Sequence, residues 1–209
     1  MSSPCDIAAC ARTARLYVAD LAAECVWRVS PDGADIQRWL TPSDTFTPLA
    51  LSVTSSRLLL VTSYIDRQLR QFDTARGDEL RRVRLPDYMH PFHAVESPTG
   101  TFVVGHYSTQ LNQHQVSEVN TEGQVLRQFS GSLGWPEHIA INSQGHILVA
   151  EWDNRRILLL DAQLSLRRVI IDEHQLNDQQ PFRLCYVEQS GQLLIALRYS
   201  VAVFDVLQR

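Results

Sequence analysis

Two histidines, His93 and His138, each stand two residues after a proline, in the segments PFHAV and PEHIA. Imidazole is the commonest metal ligand and the one side chain whose ordinary titration falls near neutral pH. A repeated histidine slot therefore invites a metal or anion site. The same slot after other prolines holds Asp6, Ala50 and Arg183. A zinc site needs at least three protein donors, and a fixed arginine charge in the set opposes a divalent ion. The expectation is a polar rim of Asp6, His93, His138 and Arg183, with no metal and no other cofactor. A second set is aromatic: Tyr64, Tyr107, Trp135, Trp152 and Tyr199, with Arg67 and Arg155 beside two of them. Tyrosine, tryptophan and arginine dominate the energetic centres of protein interfaces. Tyr64, Arg67, Tyr107, Trp152, Arg155 and Tyr199 are thus the candidate binding residues, against the alternative that these rings only cover the ends of the structural units. No G-x-S-x-G, Walker loop or H-E-x-x-H occurs, and no residue is assigned a catalytic role. Asp20, Asp66, Glu151 and Asp153 read as solvated turn acids, because no D-x-D-x-D-G calcium loop accompanies them. His114 fills a slot that is otherwise apolar and reads as a core or half-buried histidine.

These residues are placed by a repeat. Prolines 4, 48, 91, 136 and 181 are separated by 44, 43, 45 and 45 residues. After each comes an apolar run, a turn and a second run, as in PEHIAINSQGHILVAEW (136–152) and PCDIAACARTARLYVADL (4–21). A third run follows each pair: CVWRVS (25–30), QLRQFD (68–73), QLNQHQ (110–115), RILLLD (156–161) and SVAVFD (200–205). A fourth, more polar run appears in four copies: DIQRWL, ELRRVRL, QVLRQF and LSLRRVII. The runs are short and rich in β-branched residues, and Gly, Asp and Asn punctuate them, so they read as strands. Three or four short strands at a period near 45 residues are the signature of propeller blades. The fold class expected is all-β, a single β-propeller domain over 1–209. Its blades lie near 4–47, 48–90, 91–135, 136–180 and 181–209, and the last lacks its outer strand. Five blades closing on themselves rank ahead of a part of a six-bladed ring. In this frame the slot two residues after each proline begins the innermost strand, so its side chains surround one mouth of the axial channel. Tyr64, Tyr107, Trp152 and Tyr199 fall in nearly the same turn of four blades, giving one face an aromatic and arginine ring.

The pair Trp152-Asp153 precedes the third strand rather than closing it, which excludes a WD repeat. The segment LVAEWDNRRILLLDAQ resembles the NHL-repeat family instead: Asn154, Arg156 and Ile157 match its namesake turn, and Pro136, Ile139, Ala140, Gly145 and Val149 match its earlier half. Blade two matches through Asp66, Gln68, Leu69 and Asp73, and blade one keeps only Val18, Ala19 and Asp20 of the motif. The resemblance implies an NHL-like propeller such as the one that ends the tripartite-motif ubiquitin ligases and selects their substrates. No RING, B-box or coiled coil occurs here, so ligase activity is not expected. The main expectation is a non-catalytic module that recruits a protein or peptide through one face. Some NHL propellers bind RNA, which makes an RNA-binding propeller the alternative. A further alternative is a metal-dependent lyase or lactonase acting at the channel mouth, since the peptidylglycine amidating lyase resembles such a propeller. The slots of His93 and His138 usually hold glycine in the NHL pattern, so that lyase's site does not carry over residue by residue.

Bulk composition agrees with a binding module. Net charge is −4 over 209 residues, which gives no general attraction to polyanions. All 19 basic residues are arginine, which reads as codon bias and leaves no side-chain amine for ubiquitin or acetyl groups. The outer-strand arginines, such as Arg81, Arg82 and Arg127, read as guards against edge-to-edge association. Cys5, Cys10, Cys25 and Cys185 form no C-x-x-C and are expected to be free thiols. No apolar run reaches the roughly 20 residues needed to span a bilayer, and no signal peptide is recognisable. The chain is expected to be soluble and cytoplasmic, with no membrane partner.

Overall fold

The computed structural model describes residues 1–40 and 46–206. Blade one holds β1 (Pro4–Cys10), β2 (Arg15–Asp20), β3 (Cys25–Val29) and β4 (Ile36–Leu40). Blade two holds β5 (Ala50–Val53), β6 (Leu58–Ser63), β7 (Gln68–Asp73) and β8 (Glu79–Arg84). Blade three holds β9 (Met89–Glu96), β10 (Phe102–Ser108), β11 (Gln113–Val119) and β12 (Val125–Gln128). Blade four holds β13 (Pro136–Ile141), β14 (Ile147–Glu151), β15 (Arg156–Leu160) and β16 (Leu166–Ile171). Blade five holds β17 (Arg183–Val187), β18 (Gln192–Ala196) and β19 (Val201–Asp205). Each sheet is an antiparallel meander in chain order, four-stranded in blades one to four and three-stranded in blade five. The chain is a five-bladed β-propeller, and no helix occurs among the described residues. Residues 207–209, at the end of the region expected to lack an outer strand, lie outside the described residues.

The apolar runs are continuous because a blade is covered on both faces, as in other sheets buried on two sides. Four clusters fill the four seams between consecutive blades. Tyr17, Val26, Leu51 and Val61 join blades one and two; Leu60, Val83, Phe102 and Val119 join two and three. Val103, Val116, Ile139 and Leu158 join three and four; Leu148, Ile157, Leu193 and Ile195 join four and five. Among the described residues no such cluster joins blade five to blade one. The link there is polar and belongs to the site below.

The turns recur as faithfully as the strands. The turn from second to third strand places Glu24, Arg67, Asn112 and Arg155 in the left-handed region, at φ 48°, 51°, 53° and 50°. Gly123 closes the β11–β12 turn at φ +82°, where a Cβ would stand 2.0 Å from the carbonyl oxygen of Arg84. Only glycine fits that approach of blade three to blade two.

One strand lies elsewhere than its sequence suggests. The third run of blade three is not 110–115 but Gln113–Val119, and Val119, paired with Phe102, takes the apolar slot expected for His114. The strand hides from pattern reading because it carries Ser117 and Glu118 inward. Ser117 Oγ meets the His106 imidazole (Nε2–Oγ 2.8 Å), while Glu118 accepts from the Thr101 hydroxyl and forms an ion pair with Arg127 (2.7 Å).

Candidate functional site

The innermost strands of blades one, three and four share one irregularity. Pro4 pairs with Asp20 and Asp6 with Ala19, so Cys5 has no partner; likewise Phe92 is skipped between Pro91 and His93, and Glu137 between Pro136 and His138. An extra residue in one strand bends it and re-aims the side chains around it. The residue after each bulge then reaches into the neighbouring blade. Asp6 Oδ2 accepts the Leu51 backbone N–H at 2.7 Å, from blade two. His93 Nδ1 accepts the Ile139 N–H at 3.3 Å, and His138 Nδ1 accepts the Leu184 N–H at 3.4 Å. A ring nitrogen that accepts carries no proton, so both histidines are neutral with hydrogen on Nε2. His93 Nε2 thus donates to the Leu51 carbonyl at 3.3 Å and ties blade three back to blade two.

Arg183 closes the circle. Its Nε donates to Asp6 Oδ1 at 2.6 Å, its Nη2 to the Cys5 carbonyl at 2.6 Å and its Nη1 to Glu137 Oε1 at 2.9 Å. Every seam of the ring is therefore bridged by at least one of these four side chains. His93 and His138 stack with ring centroids 3.7 Å apart. Burial, helped by the Arg183 charge and opposed by Asp6, pulls the His93 imidazole down to about 4. Burial, with His93 and Arg183 beside it, holds His138 well below its ordinary value. Burial raises the Glu137 carboxyl, against the lowering effect of Arg183.

Asp6, His93 and His138 bring possible metal-ligand atoms within 4.8 Å of one another. The donor set does not fit an ion. Both Nδ1 atoms are occupied by backbone N–H groups, the Nε2 atoms carry protons, and Asp6 already takes two N–H groups and Arg183. Inward of this ring a cavity of about 940 Å³ runs along the axis to the first-to-second-strand turns at Ser55, Pro98, Ser143 and Glu188. Its walls include Ile7, Leu51, Val95, Ile139 and Leu194.

The prolines sit beside the second-to-third-strand turns, because Pro4 pairs with the last residue of β2 and Pro136 with that of β14. The ring mouth and those turns thus share one face, which carries a continuous aromatic row. Tyr64 stacks on Phe92 at 5.6 Å, Phe92 on Trp135 at 4.8 Å, and Trp135 meets Trp152 at 6.2 Å. His114 fills the angle between Phe92, Tyr107 and Trp135, with centroids 5.5–5.8 Å away. Tyr64 is 36% and Trp135 37% exposed, and Ile65 and Leu111 stand open beside them at 62% and 48%.

Of the residues expected at a binding face, the structure brings Tyr64, Tyr107 and Trp152 into this row. Tyr107 does so from within β10 rather than from the turn. Arg67 and Arg155 flank the row but face acids, Asp87 at 3.9 Å and Asp178 at 3.6 Å. Tyr199 stands apart on blade five, 83% exposed, beside its neighbour Arg198. Sequence reasoning missed Phe92 and Glu137, both bulge residues next to a repeat proline; that shared position was the available signal. It also misjudged two acids. Asp20 and Glu151 are fully buried strand ends, not solvated turns, and they hold the entry loops of their blades through the N–H groups of Ser2, Ser3 and Gly134. Opposing its burial, the bonds from Ser2 and Ser3 and others from Ala23 and Trp27 keep Asp20 well below the usual carboxylate range.

No family model and no curated relative matches the sequence. Solved structures similar in fold do exist. A catalytically inactive virginiamycin B lyase from Staphylococcus aureus with quinupristin superposes with a TM-score of 0.70 at 15% identity over 97% of this chain. The chain spans 65% of that lyase's length. A chain of a nidogen/laminin complex gives 0.74 at 16% identity, covering 97% of this chain and 76% of its own. A putative gluconolactonase gives 0.73 at 12% identity, covering 98% and 74%. Enzymes and a protein-binding assembly thus share the architecture, and at such identities the likeness carries fold alone.

Proposed function

We propose that this propeller is a non-catalytic binding module that recruits a protein or peptide through the face carrying Tyr64, Phe92, Trp135 and Trp152. The observation that carries this reading is the continuity of the aromatic row across three blades, with Ile65 and Leu111 exposed at its edge. Rigid aromatic side chains supply contact area at low entropic cost, and clusters of them form interface hot spots. Selection of substrates for a ubiquitin ligase is the form of this activity that the NHL resemblance implies. The RNA alternative is weakened by the acids that neutralise Arg67 and Arg155. Selecting peptides from a displayed random library against the whole chain tests the reading. Binders should be enriched, and Trp135→Ala with Trp152→Ala should abolish their capture; unaltered capture would refute it.

One observation favours a second reading, a lyase or lactonase working at the channel mouth: Asp6, His93 and His138 lie close enough to share an ion. The bonds that already occupy their donor atoms speak against it. Titration with zinc, manganese or calcium followed by calorimetry separates the two readings, since the binding-module account expects no saturable heat at this ring.

A further inference from the structure

The polar ring leaves one of its hydrogen-bond donors unused. His93 engages both ring nitrogens, Nδ1 with the Ile139 N–H and Nε2 with the Leu51 carbonyl. His138 engages only one. Its Nδ1 accepts the Leu184 N–H from blade five, and its Nε2–H meets no acceptor among the described residues. Yet the residue is only 9% exposed. A buried donor left without a partner costs about 1–3 kcal/mol, and few such groups persist in folded proteins. The imidazole lines the axial cavity. With Nδ1 turned to blade five, the Nε2 edge is the one left for that space.

At about 940 Å³ the cavity has the size of a small-molecule site. Ser143 at its far end follows His138 by five residues, at most about 16 Å at the rise of a strand. The surroundings select the charge of an occupant. Asp6 and Glu137 stand at the ring and Glu96 and Glu188 at the far end, whereas Arg183 is the one guanidinium among the described residues that line the cavity. Arg183 already serves Asp6, Glu137 and the Cys5 and Phe182 carbonyls. A carboxylate entering here would therefore meet more negative charge than positive. An ammonium ion has no lone pair to offer His138, and the far acids are engaged. Glu188 accepts the Ser143 N–H at 2.6 Å, and Glu96 accepts from the Ser55 hydroxyl and the Gln71 amide, both at 3.2 Å. An uncharged oxygen suits the open donor best.

We propose that the axial cavity binds a slender, uncharged small molecule whose carbonyl oxygen accepts the His138 Nε2–H. Its apolar body lies along the inner strands, against Ile7, Leu51, Val95, Ile139 and Leu194. It enters past the first-to-second-strand turns, because the ring occupies the other end. The site needs no metal, opens on the face opposite the aromatic row and does not depend on the function proposed above.

The probes are methyl heptyl ketone, nonanoate and nonylammonium, titrated into the full chain by calorimetry. Cys185 reports the location: it lines the cavity and is exposed, whereas Cys10 and Cys25 are buried and Cys5 is half-buried. The ketone should bind saturably and the two ions at least tenfold more weakly. Bound ketone should slow alkylation of Cys185 by iodoacetamide at least fivefold. Ala9→Trp, at an exposed position on the cavity wall, should abolish binding, and His138→Leu should weaken it at least tenfold. Trp135→Ala should leave it unchanged, which separates this site from the aromatic face. Should His138→Leu misfold, proton NMR of the unaltered chain still decides, since the His138 Nε2–H resonance should move as ketone is added. Equal affinity for the three probes, no saturable heat with any of them, an unchanged Cys185 rate or an unmoved His138 resonance at saturation would overturn the proposal.

Discussion

Arg183 Nε lies 2.6 Å from Asp6 Oδ1, joining residues 177 positions apart across a seam that no apolar cluster of the described residues fills. Asp6 is buried and Arg183 about a quarter exposed. Removing one partner of a buried pair leaves the other uncompensated and is costly, while partial exposure moderates the effect. Arg183→Gln should destabilise the chain by about 2–4 kcal/mol, somewhat under the roughly 3–5 kcal/mol of fully buried broken pairs because Arg183 is partly exposed. Urea unfolding of Arg183→Gln, Asp6→Asn and their combination should show coupling; simple additivity would remove the latch from the account.

His93 and His138 give the ring a pH dependence. Above about pH 6.5 both are neutral in the folded and the unfolded chain. Between about 6.5 and 4 the unfolded chain takes up protons that the folded chain does not, so stability falls as pH falls. Each histidine contributes about 1.4 kcal/mol per pH unit well inside that window. Asparagine can still accept a backbone N–H but does not titrate. His93→Asn with His138→Asn should therefore flatten the decline, leaving the shares of His106, which burial lowers to about 4, and of His114, which burial also lowers. Denaturation curves at pH 7, 6, 5 and 4.5 check this, and an unchanged slope would contradict it.

Gly123 and Gly33 both have positive φ, yet only Gly123 meets a neighbouring carbonyl where a Cβ would stand. Alanine at Gly33 should cost about 1 kcal/mol, the conformational penalty alone. Alanine at Gly123 should cost distinctly more, because blades two and three must separate. Thermal melts of the two variants give the order, and equal losses would contradict the close approach.

In the aromatic row, Trp135 touches three rings and Tyr199 none of them. For peptides selected against the face, Trp135→Ala should weaken binding at least tenfold, about 1.4 kcal/mol or more. Tyr199→Ala should leave affinity within twofold. Titration calorimetry of both variants with one selected peptide measures the contrast.

The architecture was legible because propeller physics writes itself into spacing. Each inner strand has a proline within two residues of its start and turns follow at similar offsets, so prolines 4, 48, 91, 136 and 181 mark the repeat. The strand at Gln113–Val119 was not legible, since its inward Ser117 and Glu118 are paid for by partners from other strands that no local pattern shows. The site was half legible. Repeat position alone put Asp6, His93, His138 and Arg183 together, but their directions come from bulges at Cys5, Phe92 and Glu137, and a bulge leaves no compositional mark. Phe92 is one of these bulge residues, and its place between Tyr64 and Trp135 depends on the bulge.

One face carries both the latch that holds the blades and the aromatic row proposed to hold a partner. The most direct test of that division is the affinity of one selected peptide for two double variants, His93→Asn/His138→Asn and Trp135→Ala/Trp152→Ala. The histidine variant should be less stable yet bind with unchanged affinity, and the tryptophan variant should fold and fail to bind. Loss of binding in the histidine variant, with affinity retained in the tryptophan variant, would contradict the assignment.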